Sequence, residues 1–159
     1  MTIFLLVFVS FVAMEGVSYA AHRAVMHSRR GMRWHRSHHA PQQSGFEAND
    51  LFPVVFSVIG FTVFALSAWG PRIDALFWIG VGVTAYGIVY AIVHEIYIHE
   101  RLPIRLPRWR YLEWVKEAHR IHHLFGGEPY GMLLPVVPRS LRIRVNGQRA
   151  STRAIRSRL

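Results

Sequence analysis

The chain has 159 residues, a formal net charge of +10 and no cysteine. That length supports one domain, and the missing thiol excludes disulfides, thiolate metal sites, iron–sulfur clusters and a cysteine nucleophile. Hydrophobic residues make up 52% of the chain, high for a soluble protein this basic.

In chain order, residues 3–21 (IFLLVFVSFVAMEGVSYAA) are apolar apart from Glu15. About 20 such residues cross a bilayer core of roughly 30 Å, so this run reads as a transmembrane helix. A cleaved signal peptide is disfavoured, because the basic start is missing. An acid inside a span is a functional-site candidate; its bland alternative is an edge position or a polar partner.

Residues 22–50 follow, with His22, His27, His35, His38 and His39. If 35–39 is helical, His35, His38 and His39 share a face, and Pro41 would end that helix. Residues 51–70 and 75–93 are two further uncharged runs of spanning length. The segment GPRID (70–74) between them reads as a tight turn, making an antiparallel hairpin. The helical pattern then continues to His94 and His99.

Residues 108–124 (RWRYLEWVKEAHRIHHL) form an amphipathic pattern with Leu112, Val115, His119 and His122 on one stripe. Trp109, Tyr111 and Trp114 suit the headgroup level. The final segment, 139–159, has seven Arg and no acid. It reads as a basic tail, disordered or lipid-associated, beyond a membrane domain at 1–138.

The expected fold is an all-α integral membrane protein with three transmembrane helices, or four, and a cytoplasmic histidine-rich helical cap. Parity puts all ten histidines on one side of the membrane. Only Arg72 of the 19 Lys and Arg falls on the other. The positive-inside rule makes the histidine face and the C-terminus cytoplasmic, in a bacterial inner or plasma membrane. Lipid headgroups then account for the Arg excess, and nucleic-acid binding is unnecessary.

Every histidine belongs to a pattern: H-x4-H, H-x2-HH, H-x4-H, H-x2-HH. Neutral imidazole suits iron, zinc, copper and nickel. Ten rings exceed what one ion takes, whereas two octahedral irons with about five each leave room for oxygen. The pairs are less obvious. On a straight helix a spacing of five turns about 140°, so His22/His27 and His94/His99 would flank a site, serve two ions or meet at a frayed end. No Glu-x-x-His occurs, which argues against a ferritin-like centre. Asp50, Glu95 and Glu117 are candidates to accept N–H bonds from ligand rings, and nearby Arg would disfavour protonated imidazole.

The stretches HRAVMH, WHRSHH, NDLF, YGIVYAIVHEIYIHERLP and AHRIHH resemble the bacterial beta-carotene hydroxylases, of the membrane fatty acid hydroxylase and sterol desaturase superfamily. The resemblance covers about residues 20–135. It implies that His22, His27, His35, His38, His39, His94, His99, His119, His122 and His123 ligate two non-haem irons. Asn49 and Asp50 match a family dipeptide. It further implies a monooxygenase that uses O2 and electrons from a ferredoxin-like donor to hydroxylate beta-carotene at C3 of each ring, through cryptoxanthin to zeaxanthin. After AHRIHH, the segment LFGGEPYGMLLPVVP follows the family only loosely.

Unactivated C–H bonds have no acidic proton, so breaking them belongs to a cofactor rather than to acid–base side chains. The chain has no Gly-rich dinucleotide fingerprint, so electrons come from outside, and a basic face would attract an acidic donor. Two alternatives stand beside carotenoid hydroxylation. One is a fatty acyl or sterol hydroxylase or desaturase with the same centre. The other is a membrane haem carrier or metal transporter, which would place polar groups inside the spans.

Overall fold

The computed structural model describes residues 2–40, 45–69 and 74–156, and all regular structure among them is helical. Helix α1 runs Thr2–Ala21, α2 Met32–His39, α3 Leu51–Trp69, α4 Asp74–Ala91, α5 Arg110–Phe125 and α6 Arg139–Arg156. The three expected spans are present as α1, α3 and α4, each long and apolar enough to cross a membrane. Phe4, Phe8, Val54, Ile59 and Phe61 lie exposed on α1 and α3. Large apolar surfaces of this kind need lipid rather than water against them. Of the turn expected at 70–74, residues 70–73 lie outside the described residues and Asp74 already begins α4; Pro41, expected to end α2, also lies outside them. Ala40, just before that proline, is extended at φ −79° and ψ 161°, as a residue preceding proline prefers.

Helix α4 packs against both α1 and α3. Close approach to α1 depends on Gly82. A Cβ there would sit 2.0 Å from Ser10 Oγ and 2.4 Å from the Val7 carbonyl oxygen. Small residues permit such backbone approach between membrane helices. Ser10 satisfies its own hydroxyl by donating to the Leu6 carbonyl at 2.6 Å. On the other side of α4, the rings of Phe64 and Phe77 meet at 4.9 Å.

Glu15 has found polar partners. Its carboxylate accepts the backbone N–H groups of Met132 (2.8 Å), Leu133 (3.0 Å) and Leu134 (2.9 Å), and the Tyr86 hydroxyl (2.7 Å). A charge within a span is tolerated when it is satisfied in this way. The acid therefore pins the loop after α5 against α1.

Of the expected stripe on helix α5, Val115, His119 and His122 are buried, joined by Ala118 and Ile121, while Leu112 is half-buried. It stops at Gly126, which is left-handed (φ 65°) and donates its N–H to the His122 carbonyl, a common helix ending. Trp109, Tyr111 and Trp114 stay exposed.

The segment after residue 138, expected as a basic tail that is disordered or lipid-associated, carries helix α6 at Arg139–Arg156. The physical reason is local. Leu141 and Val145, four residues apart and so on one face, pack on Ala118, Ile121, Phe125 and Val137. Arg144 lies over the Phe125 ring at 4.4 Å, a favourable cation–π contact.

Candidate metal centre

Both α1 and α4 end in a π-helical turn, His22–Met26 and Ile92–Ile98. There the His27 N–H donates to the His22 carbonyl at 3.1 Å, and His99 repeats this onto His94 at 3.0 Å. These are i to i+5 bonds, which occur mostly as single π turns at functional sites. The turn stacks i+5 above i and removes the divergence expected of a straight helix. Each H-x4-H pair therefore serves one cluster. Its rings do not split between two, and they do not meet at a frayed end.

Helix α2 follows a turn at Gly31, where a Cβ would collide with the Val25 carbonyl oxygen at 1.9 Å. This tight return folds His35, His38 and His39 back over the π turn. Helix α5 brings His119, His122 and His123 from the opposite side.

The result is two quartets whose ligand atoms all lie within 4.8 Å of one another: His22, His27, His35 and His122, and His38, His94, His99 and His119. The chain crosses over between them. Each triplet gives its outer members to one centre and its middle member to the other. His122 Nε2 lies 3.2 Å from His27 Nε2, and His38 Nε2 lies 3.1 Å from His94 Nε2. The two remaining rings flank the quartets. His39 Nε2 is 3.2 Å from His35 Nε2, and His123 Nε2 is 2.8 Å from His119 Nε2. His39 and His123 stack on each other with centroids 4.5 Å apart. All ten histidines thus gather in one place, as two quartets with one flanking ring beside each.

These separations fit a metal. Cis nitrogens held at about 2.1 Å around an octahedral ion stand about 3.0 Å apart. Tautomers fit as well. Nδ1 of His22 faces the Tyr130 carbonyl (3.0 Å), that of His35 faces Asn49 Oδ1 (2.7 Å), and that of His122 faces the Gly127 carbonyl. Nδ1 of His38 faces Glu47 Oε1 (3.2 Å) and that of His94 faces Glu95 Oε1 (2.6 Å). Each oxygen accepts the Nδ1 proton and leaves Nε2 bare and directed inward, as ligand histidines require.

Burial favours the neutral form of His35, His39, His99 and His123. It is the leading cause that pushes His35 down to about 3, His39 to about 4, and His99 and His123 to about 2. Neighbouring rings lower His35, His39, His99 and His123 further.

Of the three expected acidic partners, Glu95 takes its place on His94. Asp50 instead binds Arg101, at 2.6 Å and 2.7 Å, and caps the Glu47 N–H at 3.0 Å. Glu117 engages Arg120 at 2.8 Å through two nitrogens. Glu47 and the carbonyls of Gly127 and Tyr130 are partners that sequence reasoning missed. No pattern marks a backbone carbonyl in advance, but Glu47 sits three residues before Asp50, a spacing at which the two caps interlock.

A family profile described as fatty acid hydroxylase matches residues 7–141. The chain is 40% identical over 132 residues to a protein of Paracoccus sp. (strain PC1) named beta-carotene hydroxylase, covering 82% of this chain and 80% of that one. It is 44% identical over 124 residues to a protein of the same name from Pseudescherichia vulneris, covering 77% and 69%. A third so named, from Pantoea ananas, is 42% identical over 125 residues, covering 78% and 70%. No solved structure matches the chain.

Proposed function

The chain belongs to the fatty acid hydroxylase family, and from that premise we propose that it is a membrane di-iron monooxygenase acting on beta-carotene. The two five-histidine clusters carry this reading. An all-imidazole donor set suits divalent iron. When bound, two irons would supply the oxidising power that opens an unactivated C–H bond. The balance is one C–H bond, O2, two electrons and two protons in, and one C–OH bond and one water out.

The protein's own residues do the rest. His22, His27, His35, His39 and His122 would hold one ion, and His38, His94, His99, His119 and His123 the other. Their Nδ1 partners fix the rings. With His22 and His94 at the ends of two spans, this centre would lie at the membrane boundary, where the end of a long apolar molecule can arrive from the bilayer. That favours C3 of the terminal rings, giving beta-cryptoxanthin and then zeaxanthin. We place the centre and the C-terminus on the cytoplasmic face, where the basic surface would meet an acidic donor such as a ferredoxin.

The names of the relatives favour a carotenoid substrate; the family's description keeps acyl chains as the second reading. Pigment analysis of beta-carotene-producing cells separates them. Zeaxanthin from the wild-type chain, absent with His122→Ala, supports ring hydroxylation at this centre. Unchanged beta-carotene with the protein in the membrane and a donor supplied would reject the carotenoid and move the test to acyl and sterol substrates.

A further inference from the structure

The two centres have the same number and kind of ligands but different surroundings. Around the first, the Nδ1 protons meet neutral oxygens: the Tyr130 and Gly127 carbonyls and the Asn49 side-chain amide. Around the second, they meet carboxylates, Glu47 on His38 and Glu95 on His94. Both carboxylates are gathered by one guanidinium. Arg101 Nη1 lies 2.7 Å from Glu95 Oε2 and 3.8 Å from Glu47 Oε1. Asp50 grips the same guanidinium with both oxygens, and the Gly45 carbonyl accepts from Nη2 at 2.6 Å. Three acids and one base therefore surround the second centre, and their side chains are largely shielded from solvent.

We infer that the two metal positions are unequal, the one formed around His38 and His94 binding its dication more tightly than the one around His22 and His35. This rests on the metal reading given above. A carboxylate on Nδ1–H raises the basicity of the opposite nitrogen, and the net negative surroundings attract a cation directly. An amide oxygen does the first weakly and the second hardly at all. Arg101 is a positioning residue. It touches no ligand ring in these contacts, but it aims both carboxylates and offsets part of their mutual repulsion.

The test is titration of the metal-free full chain in detergent with Co(II) alone, followed by calorimetry. Two steps are expected, separated by about 10–100-fold in affinity, the usual weight of such outer partners. The double variant Glu47→Gln/Glu95→Gln gives the second centre the same amide partner that Asn49 gives the first. It should weaken the tighter step about 10–100-fold and leave the other in place. Asn49→Asp should instead strengthen the weaker step. A merely structural role would depress both steps together. Equal steps in the wild type, or both variants moving the same step, would overturn the inference. Failure to bind Co(II) at all would sink the metal reading beneath it. Should the double variant fold poorly, Asn49→Asp still decides.

Discussion

His122 Nε2 stands 3.2 Å from His27 Nε2, although its helix neighbours His119 and His123 belong to the other centre. This crossing predicts how ligand losses combine. His122→Ala paired with His27→Ala should cost the same single metal equivalent as either change alone. Paired with His119→Ala, it should cost both. Metal content of the purified variants checks this, and additive loss in the first pair would refute the crossing.

Glu15 holds three consecutive backbone amides and a tyrosine hydroxyl inside a membrane span. Glu15→Ala leaves those donors unmatched, at about 1–3 kcal/mol for each one left buried. The expected outcome is a much lower melting temperature in detergent. Tyr86→Phe, which removes a single donor, should have a clearly smaller effect.

Gly82 and Gly87 lie on the same helix but in different company. A methyl on Gly82 meets Ser10 and Val7, whereas nothing lies within 4 Å of one on Gly87. Gly82→Ala should therefore destabilise the chain through overpacking by about 1–3 kcal/mol. Gly87→Ala should be neutral or mildly stabilising, since alanine favours helix. Thermal unfolding of the pair in one detergent provides the comparison.

Acid should dismantle the metal-free site. His35 and His39 titrate near 3 and 4 in the fold, against 6.5 for an unperturbed ring. The unfolded chain therefore binds protons first, and stability falls as pH drops. The contribution is complete above pH 6.5 and is lost progressively toward pH 4 and below. Melting temperature followed from pH 7.5 to pH 4 should decline over that interval; a flat profile would contradict the burial of these rings.

Topology is open to a direct test. A reporter fused after residue 159 should be active on the cytoplasmic side, the outcome that the positive-inside rule predicts from the Lys and Arg distribution. Activity on the opposite side would reverse the placement of the histidine centre.

The three spans were legible because about 20 uninterrupted apolar residues have few other uses. The ten histidines were legible because none falls outside the pattern. Other features were hidden for identifiable reasons. The role of the H-x4-H pairs depends on π turns at the ends of α1 and α4, and ideal helical geometry cannot anticipate a change of pitch. Glu47 carries no ligand spacing, because it meets its partner His38 from nine residues along the chain. The helix at Arg139–Arg156 was masked by charge density, since six arginines within it outweigh the i, i+4 signal of Leu141 and Val145.

The crossing of the triplets also sets an order of events at the ribosome. Residues 22–39 contain every member of the first cluster except His122, and only His38 of the second. A nascent chain therefore carries an almost finished site long before its last ligand is made, and an early ion would be held incompletely. Both clusters close only when the final turn of α5 arrives. On the di-iron reading proposed above, metal loading would then act as a completion check, because a truncated or misinserted chain would lack a ligand for each ion.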